Sequence, residues 1–496
     1  MIPERTSYRF GPLERRGLLG GVRAGQAAAL AVGLLVAMLA IDSVPAIGGA
    51  VAGLLALGLA AALATLRIGG RTADEWAPVV GGYAARRVGR RSAFRSTAPR
   101  AGMSFDPRPG GVLRDPVPVA PAALRGVRIV EAGSGDRRIG AVSERAGRRL
   151  TALLACRVVS FALLDADAQE RRLAQWGLVL SGAADTAIRR LQWIERTAPD
   201  QGDELARWLH EQRDPAIPLR GVPIVESYLE LISSSARASQ SHEILVAVQV
   251  DGARVRSRSA GALEQALLEA TERVAQGLEA AEIAVLGALR AGKVARALRT
   301  AFDPYAHSEL AALRSADARR DELAAANAWP LGAREAWDHY RCDGAMHATY
   351  WIGGWPRTEV SPMFMDALLG RARTARTVAV TFEPVPPARS SREVEAAITR
   401  DRADRELRWR FGQLETARQR QAQEAAARRE AELAAGHTEV RLAGFITISG
   451  RDEDELRLAS SEVLDQAARA RLEVHRMYGQ QASAFTFTLP LARGLR

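Results

Sequence analysis

The chain has 496 residues, too many for one ordinary domain, and its 47% hydrophobic and 25% charged content excludes a disordered tail protein. Its net charge of +11 (68 Lys+Arg against 57 Asp+Glu, Lys293 being the only lysine) points to nucleic acid or to anionic lipid, and the position of the charge must decide between them. Two cysteines, Cys156 and Cys342, are too few for a disulfide framework and read as thiols of a reducing cytoplasm.

Residues 1–23 form a short basic arm with Arg5, Arg9, Arg15, Arg16 and Arg23 and an apolar side of Phe10, Leu13, Leu18 and Leu19. Two apolar runs follow, Ala24–Ile41 and Val44–Leu66, of about 18 and about 23 residues, separated only by Asp42 and Ser43. Arg15-Arg16 before an apolar run also has the form of an export signal of the twin-arginine type. The immediate second run, itself followed by arginines, favours an uncleaved membrane hairpin over 24–66. Arg67, Arg71, Arg86, Arg87, Arg90, Arg91 and Arg95 lie after the hairpin and only Asp42 lies in its turn. The positive-inside rule then places both termini in the cytoplasm, at the inner (plasma) membrane. Much of the positive charge is therefore juxtamembrane, where it can hold anionic headgroups, and direct nucleic-acid binding is disfavoured. Gly17, Gly21 and Gly25, and Gly49 and Gly53, recur at four-residue spacing, which lets helices in lipid approach closely.

Residues 67–121 read as a basic juxtamembrane segment ending in a Pro/Gly linker, Ser96–Pro121. Gly126–Ala132 and Leu150–Leu164 have the β-branched, apolar runs of strands, and Asp167–Thr197 reads as helical, with Leu173, Trp176 and Leu180 on one face and Ile188, Leu191 and Ile194 on another. Gly202–Gln212 and Tyr228–Ala238 are further helices, Glu243–Val250 alternates as a strand, and Ser257–Ala301 is a long Ala/Leu helix or helix pair stopped at Asp303-Pro304. Beyond it, His347–Ile352 and Thr377–Phe382 are strand-like around a helical Ser361–Arg373. Ser390–Ala435 is a charged helix or helical hairpin, with Asp401/Arg405 and Glu424/Arg428 among its i,i+4 pairs. Val440–Ser449, Asp452–Leu472 and Ala484–Leu489 then read as strand, helix and strand.

The sharpest enzyme candidate is Gly287–Lys293, which fits the spacing of a phosphate loop up to Val294, where a Ser or Thr is needed to ligand Mg²⁺. Its surroundings are helical in period, and the acidic run end at Phe161–Asp165 precedes it rather than follows it. A helical turn with a chance glycine pair is the preferred reading. His339, Cys342 and His347 lack a fourth ligand for a metal site. No G-x-S-x-G, H-E-x-x-H or paired C-x-x-C occurs. Trp176, Trp193, Trp208, Trp351 and Trp355 read as core or interface anchors, not as a base-stacking platform. No catalytic, cofactor-binding or metal-ligating residue is assigned and no cofactor is expected.

The hairpin followed by Gly70-Arg71-Thr72-Ala-Asp74-Glu75-Trp76 resembles the small PrgI-like inner-membrane subunits of conjugation and type IV secretion machines. Ser160-Phe-Ala-Leu-Leu-Asp165, Leu173-Ala-Gln-Trp176 and Gln192-Trp-Ile-Glu-Arg196 resemble the N-terminal region of the TraC-like secretion ATPases. So do Trp355-Pro356-Arg357, Arg429-Glu-Ala-Glu-Leu433 and Gly479-Gln-Gln-Ala482 leading to Leu489-Pro-Leu491. In that family this region precedes the motor, and here the chain ends where the motor would begin. The two-span-plus-cytosolic-domain plan is shared by EccE-like subunits of type VII secretion, the competing resemblance.

The resemblance implies an actinobacterial, non-enzymatic scaffold that positions a separate cytosolic secretion ATPase. A membrane-bound nucleotide hydrolase using Lys293 is a weaker alternative. The expected fold is α+β: a transmembrane hairpin plus a cytosolic ferredoxin-like α/β sandwich with a long helical insertion. The subdomains would be 122–330 and 331–496, the insertion 390–435. The expected partners are the lipid bilayer, other inner-membrane secretion subunits, the ATPase and further copies of the chain.

Overall fold

The computed structural model describes residues 24–43, 47–66, 69, 71–96, 120–157, 163–199, 221–238, 240–257, 259, 261–306, 328–356, 360–370, 374–393, 395–396, 399, 427, 431–433 and 438–495. The basic arm, most of the Pro/Gly linker, the helix expected at Gly202–Gln212 and most of the 390–435 insertion lie outside the described residues.

Helices α1 (Ala24–Ser43) and α2 (Ile47–Thr65) pack on each other as a hairpin. Small residues set the approach: a Cβ on Gly33 would collide with that of Ala60, and one on Gly53 would press on Ile41 and the Ala37 carbonyl. The Gln26 amide donates to the Ala64 carbonyl at 2.7 Å and joins the open ends of the pair. Both helices are long and apolar enough to cross a membrane, and only 11% and 22% of their spans are buried, unlike core helices of a soluble domain. Val32, Leu35, Met38, Leu54, Leu55 and Leu59 all face outward.

The rest of the described chain is organised by one antiparallel sheet of thirteen described strands. In chain order these are β1 (Ala93–Arg95), β2 (Arg128–Ala132), β3 (Ile139–Glu144), β4 (Arg149–Arg157), β5 (Ile188–Pro199), β6 (Gln240–Asp251), β7 (Ala284–Ala288), β8 (Gly332–Glu335), β9 (Tyr340–Cys342), β10 (Ala345–Gly354), β11 (Arg376–Pro384), β12 (Val440–Gly450) and β13 (Glu473–Arg476). The main path runs β1-β8-β9-β10-β12-β11-β5-β6-β4-β3-β2, with β7 on β4 and β13 on β10.

The helices are α3 (Ala73–Val88), α4 (Ala166–Gly182), α5 (Pro223–Ala238), α6 (Ala262–Ala280), α7 (Ala291–Phe302), α8 (Asp366–Leu369), α9 (Glu453–Arg469) and α10 (Gln481–Phe485). With the strands they resolve the sheet into two runs of identical connectivity. In the first half, 122–306, the meander β2-β3-β4 leads into α4, β5, an excursion carrying α5, then β6, α6, β7 and α7. In the second half, 328–495, the meander β8-β9-β10 leads into α8, β11, an excursion over 385–439, then β12, α9, β13 and α10. The strands line up as β7-β4-β6-β5 in one half and β13-β10-β12-β11 in the other. The halves join edge to edge through β5 and β11, with Trp193 opposite Val380.

The two faces of the sheet are covered differently. On one face α6 buries Leu267, Val274 and Leu278 against Leu154, Val246 and Val248, and α9 buries Leu456, Ala459 and Val463 against Ile446 and Ile448. On the other face α7 contributes Val294, Leu298 and Phe302 to a core with Phe485, Leu489 and Leu491 of the C-terminal segment.

That segment, 481–495, crosses the strands instead of joining them, so side chains of both the segment and the sheet bridge the two. Thr349 N–H donates to Gln481 Oε1 at 2.8 Å, and Thr447 and Thr488 share a hydroxyl contact at 2.7 Å. Gln192 Nε2 donates to the Phe487 carbonyl, and Gln192 Oε1 accepts from Ala492 N–H, both at 2.8 Å. Gln249 donates to the Leu491 carbonyl at 3.0 Å and Thr381 to that of Arg493 at 2.9 Å. Arg493 closes the crossing by pairing with Glu144 on β3. At the seam Arg190 binds Glu383 at 2.7 Å and also donates to the carbonyls of Ala492 and Leu495. The segment thus starts on the second half and ends on the first.

Several expectations need correction. Asp167–Thr197 is not one helical stretch: α4 ends at Gly182, and 188–199 is the central strand β5. Ile188, Leu191 and Ile194 mimic a helical period because β5 is buried on both faces, Leu191 packing with α6 and Ile194 on the opposite side, so apolar residues need not alternate. Ser257–Ala301 is a helix pair with strand β7 between. Within Ser361–Arg373, the described residues 361–370 form turns and the single turn α8. Ala484–Leu489 is no strand: Thr486 and Thr488 bond back to the Ser483 and Phe485 carbonyls, holding a turn that packs across the sheet. Of the insertion, residues 390–393, 395–396, 399, 427 and 431–433 are the described ones, and they are helical.

Candidate functional site at the joint of hairpin and sheet

The hairpin does not hang from the Pro/Gly linker. Before that segment begins, the chain forms α3 and β1, and both dock on the second half of the sheet. Glu75 begins α3 by accepting from the Thr72 N–H at 3.1 Å, half of a capping box. The first turn of α3 touches the hairpin, with Asp74 against Gly25. Strand β1 then adds to the edge of β8, Phe94 opposite Ala333.

Trp76, Val79, Tyr83 and Arg86 lie on one face of α3, at spacings of i, i+3, i+7 and i+10. Trp76 stacks on Trp337, which lies between β8 and β9, at 6.0 Å, and meets Tyr478 at 6.5 Å; Tyr83 meets the Trp337 edge at 5.1 Å. Such aromatic pairs add about 0.5–1.5 kcal/mol each beyond burial. Arg71 lies over the Trp76 ring at 5.5 Å and donates to the Met477 sulfur. Arg86 pairs with Glu335 at 2.9 Å, and Glu335, whose side chain is 2% exposed, also accepts from Ala482 N–H. Arg86 further donates to the Gly479 carbonyl at 2.5 Å. Gly479 has a left-handed backbone, φ +66°, and a Cβ there would stand 2.6 Å from the Trp337 ring. Residues 71–95 are thereby bound to positions more than 230 residues later in sequence. This arrangement joins α3 and β1 to the second half of the sheet.

The candidates read from sequence fall elsewhere. Gly287 lies in β7, which ends at Ala288, and α7 begins at Ala291, so the strand–loop–helix order of a phosphate loop is present. The loop backbone is nevertheless occupied. Leu289 N–H donates to the Leu153 carbonyl, the Leu289 carbonyl accepts from Gly140 N–H, and Gly140 sits directly against the backbone of Arg290 and Ala291. Gly292 is buried inside α7, and Lys293 points to solvent. The packing of Gly140 on Arg290 and Ala291 fills the space beside the start of α7.

His347 is fully buried, its Nε2–H donating to the Phe302 carbonyl at 3.0 Å and its Nδ1 accepting from Ser449 at 2.8 Å. Burial pushes its pKa down to about 4, so it is neutral. Cys342 is buried and its thiol is pushed well up by burial, while His339 meets Asp338. The three do not converge as ligands. Trp176, Trp193 and Phe382 pack edge to face at the seam, Trp351 meets His475, and Trp208 lies outside the described residues.

Sequence reasoning missed α3. Trp76 stood in the quoted motif, and the spacing Trp76, Val79, Tyr83 was the signal that could have found the helix. Its partners Trp337 and Tyr478 carry no sequence signal linking them to it. No family model matches this chain, and no curated protein matches its sequence.

Proposed function

We propose that the chain is a non-enzymatic inner-membrane scaffold of a conjugation or type IV-like secretion apparatus, and that it positions a separate cytosolic ATPase. The hairpin crosses the membrane with both ends cytoplasmic, and the sheet is a tandem of two ferredoxin-like units, each with its helical excursion between the second and third strands of the quartet. The single observation that carries this reading is the joint. A tethered enzyme needs only a flexible linker, whereas α3 and β1 hold the sheet against the membrane hairpin before the linker starts. The paired units then offer a broad platform in a set pose.

The test is co-purification in mild detergent of the full chain and of a Trp337→Ala variant, followed by identification of the bound proteins. A secretion ATPase or channel subunit retained by the full chain and depleted by Trp337→Ala is the expected result. Absence of any secretion component from both would sink the proposal. Recovery of a ubiquitin-like channel protein with paired small helical substrates would assign the chain to type VII secretion instead.

A further inference from the structure

The face of α3 opposite the aromatic joint is covered by nothing among the described residues. Ala77, Val80, Gly81, Ala84 and Val88 lie on it, with Val80 49% and Val88 86% exposed. A structured turn follows the helix: Arg90 adopts φ +52° and Arg91 N–H returns to the Arg86 carbonyl. Arg90 and Arg91 in that turn are exposed, as are Arg95 on β1 and Arg87 in the last turn of α3, whose guanidinium also donates to the Tyr83 hydroxyl at 3.1 Å. Arg86 is spent on Glu335, but none of these four arginines meets a carboxylate among the described residues. The only acids of α3, Asp74 and Glu75, sit in its first turn. The helix is about 24 Å long and begins a few residues after α2 ends. A modest apolar strip with one-sided positive charge, continuous with two spans, is the composition of a helix that lies in a lipid interface.

We propose that α3 is an interfacial helix held between the sheet and an anionic leaflet, its exposed face on the headgroups and Arg87, Arg90, Arg91 and Arg95 on lipid phosphates. The membrane then does more than anchor the protein. The Trp76 face carries the sheet and the Val88 face reads the leaflet, so anionic lipid sets the pose of the platform. The inference rests on the hairpin being in the bilayer, and its test keeps the two apart. Each arginine near such a surface contributes about five-fold to partitioning, and the effect falls as salt shortens the screening length.

The experiment uses the full chain in vesicles with one fluorophore, on Val88→Cys or on Leu54→Cys; both native thiols are buried and label poorly. Quenchers are placed on lipid headgroups or deep in acyl chains, in phosphatidylcholine with and without phosphatidylglycerol. The expected result is deep quenching at Leu54 in both lipids and headgroup quenching at Val88 that needs phosphatidylglycerol. Replacing Arg87, Arg90 and Arg91 by Gln should abolish the Val88 signal and leave Leu54 unchanged. Leu54 quenched with Val88 dark, or Val88 quenched equally in neutral lipid, would overturn the inference and leave the hairpin intact. Energy transfer between Val88 probes with no lipid quenching would show a second copy on this face and overturn it as well. Failure at both positions would remove the hairpin reading too.

Discussion

The two halves of the sheet share one connectivity, but only the second carries the hairpin, although the first follows it directly in sequence. The β8 edge receives β1, and Trp337 and Gly479 receive α3. The corresponding edge of the first half is β2, whose turn to β3 is Gly133-Ser134-Gly135-Asp136-Arg137-Arg138, without an aromatic to stack on. Strand order alone therefore does not create the joint; it needs Trp337 and Tyr478, for which the β2–β3 turn and the link between β7 and α7 carry no aromatic counterpart. A second contrast is that each half keeps a conventional helix on one face, while the other face is closed by the crossing segment that ties them together.

The largest expected effect is at the seam. Glu383→Ala leaves the Arg190 guanidinium buried without its carboxylate, and breaking such a pair costs about 3–5 kcal/mol. If the halves are one cooperative unit, chemical denaturation of the variant shows a single earlier transition. Two separated transitions would show that the halves fold independently and break the tandem picture.

Next in size is an opposed pair of pH effects from the two halves. His347 in the second half stays neutral down to about 4 when folded, whereas in the unfolded chain it takes up a proton near its ordinary value of 6.5. Stability from this site falls as pH drops from 6.5 to 4, by about 3 kcal/mol. Glu195 on β5 of the first half is pushed up to about 7 by burial, against the lowering influence of Arg376. Folded, it keeps its proton where the unfolded chain has lost it, so stability from this site falls as pH rises from 4.5 to 7. The two slopes cancel between 4.5 and 6.5. Thermal melts of His347→Gln should reveal the Glu195 slope and those of Glu195→Gln the His347 slope. Parallel profiles for all three proteins would contradict these environments.

A smaller difference separates the equivalent helices. Leu278→Ala in α6 should cost about 2–5 kcal/mol, and Val463→Ala in α9 about 1 kcal/mol less, because valine loses fewer carbons and α9 presents Ala467 at the place of Leu278. Urea midpoints measure both, and equal shifts would deny the packing difference. The smallest effect is expected at Lys293→Ala. Lys293 is exposed on α7 and Leu289 N–H is already bonded to the Leu153 carbonyl, so nucleotide binding and stability should match the parent chain, and loss of ATP binding would revive the phosphate-loop reading.

Much of the fold was legible where period and composition agree. The hairpin, β6, β10, β11, β12 and α9 stood in the sequence because each has an apolar pattern matched to its own geometry. Strand β5 did not, because burial on both faces erases alternation. The segment after Gln481 did not, because alternating Thr and Phe suit a strand and a crossing segment equally, and only Gln192 and Gln249 beneath it decide between them. The joint was half legible: the face of α3 is periodic, but its partners lie in loops that local pattern does not connect.

By itself the sequence determined the local properties of this protein: two spans' worth of apolar residues, the placement of charge beside them, and the type of most long elements. These follow from side-chain chemistry within a few turns of chain. The tertiary structure alone decided that the strands form two equivalent runs in one sheet, that the last residues bind the halves together, and that the hairpin is clamped to the distant half. Each of these depends on contacts between residues hundreds of positions apart, such as Trp76 with Trp337 and Arg190 with Leu495, whose pairing depends on the register of the whole sheet.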